Sequence, residues 1–343
     1  MSGQHMSAEI AEQPAVFASI VDRQAQIAEV AAKLAERRPR FALLAARGSS
    51  DHAALYAKYL VEVLLELPAG LASASTTTLY GAKPDLSDVL FLTVSQSGGS
   101  PDLIETTEAA RARGALTVAV TNNPSSGLNS VAELSIDIGA GVENAVAATK
   151  TYTATLLSLY LLIDSVRGGQ GQAAAPLAAL AAEALSTTES AVDDAVARYR
   201  YVERMVTTGR GYSSASAAEG ALKLAETSYL AARAYSGADL LHGPVAAIDA
   251  DTGVVAVTSA GKGGEAMRDV VNTVRQRGAD VLAVGSAAAD MPASSRIVLP
   301  PCAEEVAPIL EILPLQRLAL GLSLARGGDP DNPRGLSKVT RTR

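Results

Sequence analysis

The 343-residue sequence has no tryptophan, one cysteine and three histidines, and only 4% of it is aromatic. Base stacking needs aromatic platforms, so that mode of nucleic-acid binding is not expected. The formal charge of −7 points the same way, because phosphate backbones and anionic membranes reward clustered Lys and Arg. A single cysteine, Cys302, excludes an internal disulfide and fits a reducing, cytoplasmic setting. It lies between Pro301 and Ala303 with no histidine nearby and reads as an inert structural residue. The longest strongly apolar run, residues 156–163, is too short to span a bilayer, so no membrane partner is expected. The first eight residues lack a signal-peptide apolar core and read as a flexible start. No His/Cys cluster has ligand spacing, and no Gly-x-Gly-like stretch has the acidic partner of a dinucleotide fingerprint. Neither a metal nor any other cofactor is therefore expected.

What is present is alternation. Residues 10–36 read as an Ala-rich helical opening, followed by a short apolar strand at 41–45. Strands at 89–94, 116–120 and 134–138 then alternate with helices at 101–113 and 151–166. Near-continuous apolar strands between helices indicate a parallel sheet covered on both faces. Residues 168–176, rich in Gly, Gln and Ala, read as a linker, and 177–205 as one long bridging helix.

A second copy follows. Arg47 and Val94 are 47 positions apart, and so are Arg210 and Val257, each pair marking a loop start and a strand end. The run "VSQSGGSPDLIETTEAARARGALTVAV" resembles "VTSAGKGGEAMRDVVNTVRQRGADVLAV" apart from one inserted residue. The expected fold is α/β, with two tandem doubly wound, flavodoxin-like domains, each a five-stranded parallel sheet flanked by helices. The organisation predicted is an N-terminal helical segment (1–35), domain 1 with the phosphate loops (36–168), a linker and bridging helix (169–200), domain 2 (201–325), and a tail (326–343) contributing to the active site.

Ligands of open parallel sheets bind beyond the carboxyl ends of strands, where loops enter helix N-termini. Two such loops carry hydroxyls: Ser49 and Ser50 in "ARGSSDHA", and Ser95, Gln96, Ser97 and Ser100 in "VSQSGGSPD". Ser100 is placed as an N-cap with Pro101 at the first helical position, so unpaired amides and the helix dipole favour an anion there. Taken singly, either loop is explained equally well by turn and cap chemistry. Together, at adjacent strand ends, they predict a phosphate site. The matching loops of the second copy, "RGYSSAS" and "SAGKGGE", keep fewer aligned hydroxyls and read as a lost site.

Three further features read blandly on their own. Glu219, Lys223 and Glu226 share a helix face by i, i+4 and i+3 spacing, which usually makes a solvated salt-bridge stripe. His242 in "DLLHGPVA" reads as loop packing, and "DPDNPRGLSKVT" as a loose polar end.

These motifs nevertheless resemble the sugar isomerase (SIS) domain family. From about residue 40 to 340 the chain looks like the isomerase half of glutamine–fructose-6-phosphate aminotransferase. The resemblance places Gly48, Ser49 and Ser50 in that family's Gly-Thr-Ser loop, and Ser95, Gln96, Ser97 and Ser100 in its Ser-Gln-Ser-Gly-x-Thr loop. Val146 and Ala148 in "ENAVAATK" fall in the segment that lines the sugar, and Ser337 in the tail lines it too. It implies that Glu226 moves the proton between C1 and C2 and that His242 assists ring opening from a neighbouring subunit. Lys338 would meet the open-chain carbonyl, with Lys223 lining the site. Gly99, Ala148 and Gly335 replace the usual Glu, Ser and Asn, which leaves the substrate open.

With neither the family's glutaminase domain nor an N-terminal cysteine, glutamine-dependent synthesis is not expected. The leading expectation is a glucosamine-6-phosphate deaminase/isomerase giving fructose 6-phosphate and ammonia. Its alternatives are an N-acetylglucosamine-6-phosphate dehydratase losing water from C3, and a non-catalytic sugar-phosphate sensor. A homodimer with shared active sites is the implied assembly.

Overall fold

The computed structural model describes residues 2–338. In chain order the elements are α1 (Gln4–Asp22), α2 (Gln24–Arg37), β1 (Phe41–Ala45), α3 (Ser49–Leu64), β2 (Ala69–Leu71) and α4 (Ala74–Thr78). Then follow β3 (Val89–Val94), α5 (Pro101–Ala112), β4 (Leu116–Thr121), α6 (Gly127–Val131), β5 (Leu134–Asp137) and α7 (Lys150–Val166). Two helices, α8 (Leu177–Thr187) and α9 (Glu189–Tyr199), lead into β6 (Arg204–Gly209), α10 (Ser213–Ser228), β7 (Arg233–Ser236) and α11 (Gly237–Leu241). The chain continues through β8 (Thr252–Val257), α12 (Lys262–Gln276), β9 (Asp280–Gly285), β10 (Ser295–Val298) and α13 (Ala307–Ala325).

Two compact units result. One is built from Ala15–Val142, Lys150–Ala175, Ser337 and Lys338, the other from residues 2–14, Glu143–Thr149 and Pro176–Leu336. The first-sheet unit holds five parallel strands in the order β2-β1-β3-β4-β5, and the second-sheet unit holds β7-β6-β8-β9-β10. Both are the flavodoxin-like order, in which strand order reverses between the first and third strands of the copy. The fold expected from the repeat is therefore found twice.

The cores follow from the apolar strands. β4 and β8 are buried along their whole length, as strands covered on both faces must be. Under one face of the second sheet, Leu240, Val254, Met267, Val271, Val281 and Ala283 form a contiguous apolar cluster. α7 is buried all round from Lys150 to Asp164.

The structure corrects several sequence readings. The opening helix breaks at Arg23, where Gln24 starts a new helix. The first residues are not a flexible start: Met6 is fully buried, and the Asp331 carboxylate accepts the His5 and Met6 amides at 3.0 and 2.8 Å. Those are two of the orphan N–H groups that every helix start must satisfy. The predicted bridging helix stops at Thr188 and again at Tyr199, and Met205 lies inside β6. The stretch Glu304–Ala325 is long and apolar enough to cross a membrane by length and composition, and 83% of its apolar window is buried inside the protein. The last residues of the predicted tail, 339–343, lie outside the described residues.

Candidate functional site

In the first-sheet unit, β1 and β3 end side by side, with Leu44 opposite Leu92 in register. Each runs into a serine loop. After β1, Gly48 takes a positive φ of 57° at the N-cap of α3, so Ser49 and Ser50 open that helix, both partly exposed. After β3, Ser95 is buried and its hydroxyl accepts the Gly98 amide at 3.2 Å. The Ser97 hydroxyl accepts the Gly99 amide at 3.3 Å, and the Gln96 side chain is partly exposed. Gly98 is required here: its φ is 61°, and a Cβ would fall 2.2 Å from the Ser126 Oγ. Ser100 holds the N-cap position of α5 with Pro101 following, yet its hydroxyl makes no cap bond. Pro101 has no N–H and the Asp102 carboxylate takes the Leu103 amide at 3.0 Å, so of the donors at this helix start the Ser100 hydroxyl is the one the cap leaves available to an anion.

One acid stands close to this cradle. Asp102 in the first turn of α5 is 3% exposed, and the Arg47 guanidinium reaches it at 2.8 Å. The arginine balances a charge that would otherwise repel an incoming phosphate.

In the second-sheet unit the stripe on α10 is not solvated. Glu219 and Lys223 are buried, and the Glu226 side chain is 22% exposed. Lys223 Nζ lies 3.3 Å from Glu219 Oε1 and 2.5 Å from Glu226 Oε2. Burial works against the ammonium charge, but the two carboxylates outweigh it and push the Lys223 pKa up. The lysine therefore stays charged beside the Glu226 carboxylate and fixes its position by a charge-assisted hydrogen bond. Sequence spacing found this face but not its burial, which comes from α13 packed on α10.

Val146 and Ala148 lie in Glu143–Thr149, which forms neither helix nor strand. Ala145, Ala147 and Thr149 are buried while Val146 and Ala148 are partly exposed, so alternation leaves those two side chains accessible. His242 follows α11 on an exposed turn, ahead of Gly243 at φ 128°, and its imidazole makes no hydrogen bond among the described residues. Ser337 is exposed and Lys338 half-buried. Tyr229 and Arg334, which the motifs did not flag, fix the start of that tail at the C-terminal end of α10. The Arg334 amide donates to the Tyr229 hydroxyl at 2.8 Å, and its guanidinium lies 4.2 Å over the ring.

The second copy of the serine loops is filled from within. Glu311, fully buried on α13, accepts the hydroxyls of Ser213 at 2.7 Å, Ser216 at 2.6 Å, and Ser259. Burial pushes its pKa up against those three donors. At the start of α12 the Glu304 carboxylate accepts the Lys262 amide at 3.0 Å and the Gly263 amide at 2.7 Å. Beside them, Cys302 is pushed up to about 12 by burial and by Glu311 and Glu305, as an inert thiol should be.

Comparison with known proteins agrees with this architecture. The SIS domain profile matches residues 33–165 and again 199–324. Glutamine–fructose-6-phosphate aminotransferase (isomerizing) of Gloeobacter violaceus is 34% identical over 97% of this chain and 58% of its own length. The chain thus spans little more than half of that relative. A Silicibacter pomeroyi chain assigned to the phosphosugar isomerases superposes with a TM-score of 0.86 at 32% identity, covering 96% of this chain and all of that one. The C-terminal domain of glucosamine-fructose-6-phosphate aminotransferase from Francisella tularensis gives 0.86 at 25% identity, over 96% and 98% of the two chains. With two SIS matches that coincide with its two parallel sheets, the chain belongs to the SIS domain family.

Proposed function

We propose that the protein is an amino-sugar phosphate enzyme that converts glucosamine 6-phosphate and water to fructose 6-phosphate and ammonia. The observation that carries this reading is the buried Lys223 ammonium, 2.5 Å from a partly exposed Glu226 carboxylate. The phosphate is held by Ser49, Ser50, Ser95, Gln96, Ser97 and Ser100. Neutral donors suit a phosphate whose charge the helix dipole also favours, with Arg47 cancelling the nearby Asp102.

The chemistry runs on the open-chain sugar. His242, from a second copy in a homodimer, assists ring opening; its exposed and unbonded imidazole suits a group that acts outside its own chain. Glu226 takes the C2 proton while the C1 oxygen gains one, which gives an enaminol. Lys338 stabilises the charge that develops on that oxygen. Glu226 returns its proton to C1 as the amine loses one, and water hydrolyses the resulting ketose imine to the ketone and ammonia. Gly48, Val146, Ala148 and Ser337 line the sugar.

Incubation with a panel of hexosamine 6-phosphates, read by ammonia release and mass spectrometry, tests the proposal. Free ammonia with a ketose phosphate product supports it. Loss of water from an N-acetylated substrate, without ammonia, would replace it with elimination from C3. Glu226→Gln should lower turnover by at least roughly 10²-fold while sugar-phosphate affinity stays within a fewfold. Binding of every sugar phosphate without turnover would leave only a sensor.

A further inference from the structure

The segment Glu143–Thr149 has no regular structure of its own, so something outside it must fix the shape that presents Val146 and Ala148. The contacts that do so come from α1. Glu9 on that helix is 3% exposed, and its carboxylate accepts the Asn144 amide and, at 3.3 and 3.4 Å, the Ala145 amide. A buried carboxylate is tolerable when backbone donors converge on it, and such charge-assisted bonds are among the stronger ones a loop can make.

The far end of the segment is tied to the same helix through Gln13, which is also fully buried. Pro14 lies inside α1 and has no N–H to give to the Ile10 carbonyl. Gln13 Nε2 supplies that bond at 3.1 Å and also reaches Gln316 Oε1 at 2.8 Å. Gln316 Nε2 in turn donates to the Thr149 carbonyl at 3.2 Å, and Glu143 Oε1 accepts the Thr149 amide at 2.9 Å. One turn of α1 therefore holds the segment directly at Asn144, across more than 130 residues of sequence, and through Gln316 of α13 at Thr149.

We propose that Glu9 is a positioning residue for sugar recognition: it holds Asn144 and Ala145 so that Val146 and Ala148 keep the shape that contacts the substrate. This inference rests on the reading that the segment lines a hexosamine phosphate. Glu9 belongs to the second-sheet unit and the serine loops to the first-sheet unit, so the phosphate end of the ligand is not expected to depend on it.

The test uses the full chain with Glu9→Ala and Glu9→Gln. Affinity for glucosamine 6-phosphate, affinity for inorganic phosphate, the KM and kcat of turnover, and amide hydrogen exchange at Asn144 and Ala145 are measured well below the melting temperature. Glu9→Ala should raise the sugar-phosphate Kd and KM roughly 10-fold, with kcat changed less and inorganic phosphate binding within about twofold. Exchange at the two amides should speed up by a similar factor. Glu9→Gln keeps one carbonyl acceptor and should recover most of the loss. If Glu9→Ala does not fold, Glu9→Gln must still show faster exchange at Ala145, where the new NH2 group faces an amide. Wild-type affinity and exchange in folded variants would overturn the inference, as would an equal loss of inorganic phosphate binding. A wild-type protein that binds glucosamine 6-phosphate but releases no ammonia would instead remove the proposed reaction, and the Kd comparison would still decide the role of Glu9.

Discussion

Removing the Lys223 charge is the perturbation that bears most directly on the proposed base. At an effective dielectric of about 20, an ammonium 3.3 Å from a carboxylate has a gross attraction of about 5 kcal/mol. Most of that offsets the cost of taking the charges out of water, so the ion group as a whole adds little net stability. Breaking it is different. Lys223→Met fills a similar volume but leaves the Glu219 carboxylate, which is 0% exposed, without that ammonium. Breaking a buried ion group by removing one partner costs about 3–5 kcal/mol, or roughly 10 °C in the melting of a unit this size. The double variant Glu219→Gln/Lys223→Met removes the stranded charge and should regain most of the lost stability. Activity should not return with it, because Glu226 has lost the ammonium that holds its carboxylate in place. Calorimetric melting and steady-state turnover of the single and double variants separate the two effects. A single variant that melts like wild type, or a double variant that regains turnover along with stability, would refute the coupling of Lys223 to Glu226.

Two further outcomes follow from local geometry. Gly98→Ala adds a left-handed alanine at about 1–2 kcal/mol and drives its Cβ into the Ser126 side chain, which caps α6 by accepting the Asn129 amide. Phosphorus-31 titration should show inorganic phosphate affinity falling roughly 10-fold or more. Gly99→Ala, whose Cβ meets nothing nearer than the Ser97 Oγ at 3.7 Å, should bind like wild type. For Glu311 the folded pKa is raised above its unfolded value, so the stability it contributes is present below the unfolded pKa, about 4.3, and is lost as pH rises through the folded one. Melting temperatures measured upward from pH 4 should therefore fall more in wild type than in Glu311→Gln, and equal slopes would refute the assignment.

How far the fold could be read from sequence depended on element type. β1 and β3 are found where the apolar runs end at Gly-containing loops, because a strand covered on both faces has to be apolar throughout. β2 and β7 leave no such signal: they are edge strands of three and four residues, half-exposed, with no alternation to betray them. Residues 177–205 carry helical periodicity through Thr188, so a break set by tertiary packing left no local mark. The site shows the same division. Hydroxyl loops and the spacing of Glu219, Lys223 and Glu226 are local and could be read directly. That the stripe is buried depends on α13, which begins about 80 residues beyond α10. Glu9 is less legible still, since an acid in an Ala-rich helix looks solvated until the segment it holds is folded beside it.

The two copies differ for a reason that lies in their donors. A loop built to bind an anion presents amides and hydroxyls that must be paired with something once burial removes water. In the second copy the protein supplies the anions itself: Glu304 takes the α12 amides, and Glu311 takes Ser213, Ser216 and Ser259. In the first copy the acid near the helix start, Asp102, is engaged by Arg47, and the Ser100 hydroxyl makes no cap bond. The first copy pairs its Gly98, Gly99 and Leu103 amides locally but leaves the Ser100 hydroxyl out of its cap, whereas the hydroxyls of Ser213, Ser216 and Ser259 in the second are all taken by one buried acid. Freed from binding phosphate, the second copy can place on α10 a carboxylate, an ammonium and a second carboxylate, a grouping that would repel a bound phosphate if it stood at its own helix starts. On the proposed function, duplication followed by internal neutralisation of one pocket would let a single chain separate anion binding from proton transfer.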